Sequence, residues 1–111
     1  MSGTSDLESR IETKATAHAL KLGMLSLKLN VKGQIGWPDR LYCYRGETIF
    51  VEYKAAKEKP RAMQLHIHEK LRKQHIRIFV VDNLIDACYI LDKFKEERDA
   101  LYAAQVPTGS N

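Results

Sequence analysis

The chain predicts an α/β domain with a central sheet of about four strands flanked by helices. Three observations lead there. The elements read in the order helix, three strands, helix, strand, helix; two strand-like runs meet around Gly46; and Ile76 to Val81 is nearly continuous apolar sequence, as in a strand covered on both faces.

Each element has its own signal. Met1 to Ser5 is a polar start, and Ser5 or Asp6 can cap the helix that follows. In that helix Leu7, Ile11, Ala15, Ala19 and Leu22 recur at helical spacing and stop at Gly23, while Glu8 and Glu12 lie four apart beside the stripe. Met24 to Asn30 alternates Met24, Ser26 and Lys28 with Leu25, Leu27 and Leu29, the pattern of a first strand. Val31 to Trp37, with Gly33 and Gly36, reads as a loop leading to Pro38. After the hairpin comes a basic loop, Ala55 to Lys59, with Pro60 placed to begin a helix whose core stripe is Met63, Ile67 and Leu71. Asn83 caps a last core helix with the stripe Leu84, Ala87, Cys88 and Leu91. Beyond it Lys93 to Ala104 is charged and helix-prone, with Phe94, Leu101 and Tyr102 loosely spaced, and Pro107 to Asn111 is expected to fray.

Composition sets the bounds. A chain of 111 residues is one domain, large enough to bury a core. Its 44% hydrophobic and 29% charged residues are ordinary for a globular protein. The net charge of +4 favours a polyanionic partner, though by itself weakly. Cys43 and Cys88 have neither metal-ligand nor pairing spacing and read as buried, reduced thiols of a cytoplasmic protein. No apolar run is long enough to span a bilayer, and no basic-then-apolar leader opens the chain, so no membrane partner is expected.

The chemistry concentrates between Gly36 and Lys54. Asp39 follows Pro38 at the start of one strand-like run, and the next run ends Val51-Glu52-Tyr53-Lys54. Side chains alternate along a strand, so Glu52 and Lys54 share a face and Tyr53 takes the other. A two-residue turn at Gly46 and Glu47 pairs Arg45 with Thr48, Leu41 with Glu52 and Asp39 with Lys54, which puts all three charges on one face. A three-residue loop would turn Asp39 away. Two carboxylates and an ammonium so gathered suit metal-assisted phosphodiester hydrolysis: anionic oxygens for a hard divalent cation, and a positive charge beside the attacking water. The alternative is a solvated charged face. Against it, Ile49, Phe50 and Val51 read as a buried strand, where unpaired charge is costly.

Taken together, Glu12 on the first helix, Gly36-x-Pro38-Asp39, the apolar strand ending Glu52-Tyr53-Lys54, the Lys59-Pro60-Arg61 run and Gln64 resemble the PD-(D/E)XK nuclease superfamily. Within it they are most similar to the virus-type replication-repair nuclease (VRR-NUC) domain in its stand-alone phage form. The resemblance spans Glu8 to Leu91. It implies a restriction-endonuclease-like fold with a mixed sheet, a nuclease domain over residues 6–91, a flexible start at 1–5 and a C-terminal helical extension and tail at 92–111. It further implies that Asp39, Glu52 and the backbone carbonyl of Tyr53 ligate Mg²⁺ or Mn²⁺, and that Lys54 positions or deprotonates the attacking water. Glu12 would contribute to the metal site and Gln64 would lie beside it. The family usually has an aliphatic residue where this chain has Tyr53, whose phenol then requires a partner if buried.

Several residues admit two readings. Glu8 could replace Glu12 as the helical acid, but a first-turn acid favoured by the helix dipole is the preferred account. His66 and His68, two apart on a helix, do not share a face and do not make a metal site. His18 reads as a packed residue. Trp37 either stacks on a base or plugs an edge of the core. Arg40, Lys57, Lys59, Arg61 and Lys73, with Lys70 and Arg72, form either a solvated basic face or a DNA-phosphate contact. One small domain with one metal site needs a twin to make two cuts in a duplex or branched junction, so a homodimer is expected, and the resemblance implies that its substrate is branched DNA, a four-way junction. Stand-alone members of the resembled family imply the same, in the cytoplasm of a bacterial or phage-infected host cell. The competing expectations are a flap or other repair-intermediate nuclease, and a nucleic-acid-binding module of the same fold with little catalysis.

Overall fold

The computed structural model describes residues 3–29 and 35–105. Three helices and four strands follow the expected order: α1 (Gly3–Lys21), β1 (Leu25–Lys28), β2 (Arg40–Tyr44), β3 (Glu47–Tyr53), α2 (Ala62–Lys73), β4 (Arg77–Val81) and α3 (Leu84–Gln105). The strands form one sheet in the order β1-β2-β3-β4. The first three are antiparallel neighbours and β4 runs parallel to β3, so the sheet is mixed. The parallel step needs a crossover, and α2 supplies it.

The sheet separates two apolar layers. On one face Ala15 and Ala19 of α1 and Ala87, Leu91 and Phe94 of α3 pack against Tyr42, Ile49, Val51, Tyr53 and Val81. On the other face α2 contributes Ile67 and Leu71 against Phe50 and Ile78, with Leu29, Trp37, Leu41 and Ile76 partly buried at the edge. Trp37 is therefore packed at the margin of the α2 layer.

Helix α1 begins at Gly3, earlier than a cap at Ser5 or Asp6 would allow; polar residues in a first turn do not stop a helix that later packing holds. Its far end matches the sequence reading. Gly23 has φ +91°, Gly23 N–H donates to the Leu20 carbonyl, and Met24 N–H donates to that of Ala19. This double reversal terminates the helix and turns Met24 into the core, 2% exposed, rather than into β1. The expected strand from 24 to 30 is correspondingly shorter, and Asn30 lies outside the described residues.

Three other expectations are corrected. The hairpin turn is Arg45-Gly46, not Gly46-Glu47: Tyr44 pairs with Glu47, and both central residues have positive φ, 43° and 91°. That turn matches the twist of the strands, and Gly46 at its second position lowers the steric cost. The pairs Arg45–Thr48, Leu41–Glu52 and Asp39–Lys54 are thus replaced, Leu41 facing Phe50 instead. Because the register moves by two residues, every side chain keeps its face. In α2 the buried residues are Ile67, His68 and Leu71, while Met63 is 49% exposed, so the core stripe is rotated from the one expected. Finally, α3 runs unbroken through residues 91 and 92, and Phe94 belongs to the core. Cys43 and Cys88 are free but only half-buried. Among the described residues, no helix is long and apolar enough to cross a membrane.

Candidate active site

The site forms where β3 leaves the sheet. Glu52 occupies the α2 face of the strand's end, and Lys54 follows two residues later on the same side, its Nζ 3.4 Å from Glu52 Oε2. Continuing the hairpin register one step past the Arg40–Val51 pair sets Asp39 across from Glu52. Tyr53 N–H closes the arrangement by donating to Asp39 Oδ2 at 2.7 Å. Both carboxylates and the ammonium are therefore gathered, as the sequence reading required, although through a different pair alignment.

Gly36 makes this possible from the other side. Its φ is +95°, and a Cβ there would lie 2.7 Å from the Met63 carbonyl oxygen and 2.9 Å from the Met63 carbonyl carbon. Only glycine lets the segment carrying Pro38 and Asp39 come this close to the first turn of α2.

Electrostatics mark the place as strained for anions. Burial pushes the Asp39 carboxyl above the usual carboxylate range; the Tyr53 N–H opposes this, and the charges of Glu12 and Glu52 add to it. Glu52 is 1% exposed. Its Oε1 accepts a hydrogen bond from His68 Nε2 at 2.8 Å, whereas its buried Oε2 has no hydrogen-bond partner. A buried carboxylate oxygen without a hydrogen bond, with a second carboxylate across the strand pair, offers hard oxygen donors of the kind a divalent cation takes. Among the described residues, no three His, Cys, Asp or Glu side chains already stand together as a ligand cage.

The two helix-one acids differ in their surroundings, and Glu8 is less exposed than expected. Glu12 is nearly buried, and its Oε2 accepts from Lys28 Nζ and Arg40 Nε, both at 2.7 Å. It acts on Asp39 through its charge. Glu8, one turn earlier and set aside as an exposed acid, is half-buried; burial first, then its contact with Glu58, raise its carboxyl, which also feels Lys54 and Asp39. Arg40, read as a phosphate contact, is engaged internally by Glu12 and by Ser26 Oγ at 3.2 Å. Gln64 stands at the third position of α2, where its Oε1 accepts the Arg61 N–H at 2.8 Å and closes the helix start. Lys57, Lys59, Arg61 and Lys73 are exposed.

Tyr53 faces away from the acids, as alternation demands. Its hydroxyl is 2.5 Å from that of Tyr42, which lies 3.0 Å from Thr16 Oγ1. Burial drives its ionisation far above the ordinary phenol range.

Sequence reasoning missed His68, although a signal was present: it lies four residues after Gln64, on the same helix face. It also missed Lys28 and Glu58, for which spacing offered no cue.

No protein-family model matches the chain. It is 36% identical over 77 residues to a protein of Acyrthosiphon pisum secondary endosymbiont phage 1 named "Putative nuclease p44", spanning 68% of this chain and 83% of that relative. A solved VRR-NUC domain superposes with a TM-score of 0.68 and 36% identity, over 80% of this chain and 94% of the solved one. The mixed four-stranded sheet between helices is accordingly a PD-(D/E)XK-like fold. The chain belongs to the VRR-NUC family of nucleases.

Proposed function

We propose that this protein is a metal-dependent DNA endonuclease that hydrolyses phosphodiester bonds, acting as a homodimer on branched DNA such as a four-way junction. The observation that carries the chemistry is Glu52 Oε2: buried, without a hydrogen bond, beside Lys54 and across from Asp39. Asp39 and Glu52 would hold the Mg²⁺ or Mn²⁺, with the backbone carbonyl of Tyr53 as a further oxygen ligand. When bound, such a cation supplies Lewis acidity and a water of lowered pKa. Lys54, largely buried, holds its ammonium at the same carboxylate and there orients the attacking water and offsets charge developing on the phosphate oxygens. Glu12, fixed by Lys28 and Arg40, keeps negative charge behind Asp39 and so favours cation uptake. The Tyr53 N–H fixes Asp39, and Gln64 shapes the start of α2 beside the site.

The exposed ammonium and guanidinium groups of Lys57, Lys59, Arg61 and Lys73 supply phosphate contacts without base readout. Two cuts by a domain with one site call for a second copy, which supports the homodimer; the junction and a cytoplasmic setting in a bacterial or phage-infected cell are part of the same proposal and rest on the resemblance to stand-alone family members. The test is a cleavage gel with Mg²⁺ or Mn²⁺ on a four-way junction, a flap, a linear duplex and a single strand. Preferential cutting of the junction, in paired positions, is expected. Equal cutting of linear duplex removes the branched-DNA assignment, and no cutting with either metal removes the enzyme assignment.

A further inference from the structure

His68 and Glu52 form a buried pair, each 1% exposed, bridging α2 and β3. The surroundings do not call for an imidazole there. Phe50, Ile67, Leu71 and Ile78 make the neighbouring layer apolar, and packing alone would be served by leucine or phenylalanine. A glutamate has three rotatable bonds, and this one has two oxygens in different circumstances. Oε1 is fixed by the ring, while Oε2 faces Lys54 without a hydrogen bond.

We propose that His68 is the positioning residue of Glu52: its ring N–H holds Oε1 and thereby fixes Oε2 as the ligand oxygen. This rests on the reading of Glu52 as a metal ligand. Partners that hydrogen-bond ligating groups orient them and raise their affinity, and losing one typically costs about 10–100-fold in metal binding. His68, 1% exposed and bonded to Glu52, acts through that carboxylate.

The experiment is Mn²⁺ titration of the full chain without DNA, followed by electron paramagnetic resonance, for wild type, His68→Leu and His68→Gln. The glutamine amide N–H reaches about as far as Nε2, so it restores the bond, whereas leucine keeps only the bulk. Mn²⁺ affinity is expected to fall about 10–100-fold in His68→Leu and to stay within about threefold of wild type in His68→Gln. Unchanged affinity in His68→Leu overturns the proposal, and so does an equal loss in both variants, which would assign the effect to ring shape. If His68→Leu does not fold, the ¹⁵N signals of the wild-type imidazoles decide. Titration with Mg²⁺ should shift His68 while exposed His66 and His75 stay fixed, and an unmoved His68 at saturation overturns the assignment. A wild-type chain that binds no Mn²⁺ overturns the metal-site reading, and this proposal with it.

Discussion

Asp39 and Glu52, the proposed metal ligands, sit together at a cost to stability. Two acids face each other with Glu12 behind them, and burial raises the Asp39 carboxyl above its ordinary range. A raised carboxylate binds its proton more tightly folded than unfolded, so its contribution to stability is present at low pH and is lost as pH rises through its folded pKa. Removing the charge while keeping the shape should therefore stabilise the metal-free protein at neutral pH. Asp39→Asn is expected to raise the melting temperature without metal and to abolish cleavage; a lower melting temperature would contradict the repulsion argument. Glu52→Gln should abolish cleavage too. Lys54→Ala should retain DNA binding and lose at least about two orders of magnitude in rate, the usual scale of a positioned electrostatic or proton-transfer group. Single-turnover kinetics on a junction measure both.

Between residue and fold stand the turns that place these groups. Gly36 admits no side chain, since its Cβ would meet the backbone of Met63. Gly36→Ala should cost about 2–4 kcal/mol from overpacking and positive-φ strain combined, and should lower metal affinity by displacing Asp39. Urea unfolding measures the first effect. The opposite case is His75 at the end of α2, with φ 61° and its N–H donating to the Arg72 carbonyl. A left-handed residue after a helix is best served by glycine, so His75→Gly should stabilise by about 0.5–1 kcal/mol in the same measurement. The hairpin tip is braced from α3: Arg98 donates to the Arg45 carbonyl at 2.9 Å and to Glu47 at 3.3 Å, Arg77 reaches Glu47 and Glu97, and Tyr44 donates to Asp99 at 2.6 Å. This bracing explains why the charged second half of α3 stays helical despite its weak apolar pattern.

At the scale of the molecule the remaining predictions concern partners. Lys57, Lys59, Arg61 and Lys73 are exposed and free to release counterions from phosphates, so DNA affinity should fall steeply with salt. Lys59→Ala with Arg61→Ala should reduce the slope of log affinity against log salt by about two, with little change in sequence preference. An unchanged slope in a filter-binding series would make this face merely solvated. Light scattering at micromolar concentration should give twice the 12.7 kDa chain mass. A single chain mass, with and without junction DNA, would refute the dimer and with it the paired-cut argument.

Sequence alone determined the element order, the α/β class, the helix stop at Gly23, the cap at Asn83 and the shared face of Asp39, Glu52 and Lys54. These follow from local rules: backbone freedom at glycine, side-chain caps, and the period of two that survived a turn displaced by one residue, because the register then moved by two. The tertiary structure decided what each polar group pairs with. Arg40 and Lys28 close on Glu12, Glu8 meets Glu58, and His68 lies buried on Glu52, each across 16 to 50 residues of chain. Such partners are chosen by the approach of elements remote in sequence, and by the cost of burying a charge unpaired, which no local spacing encodes.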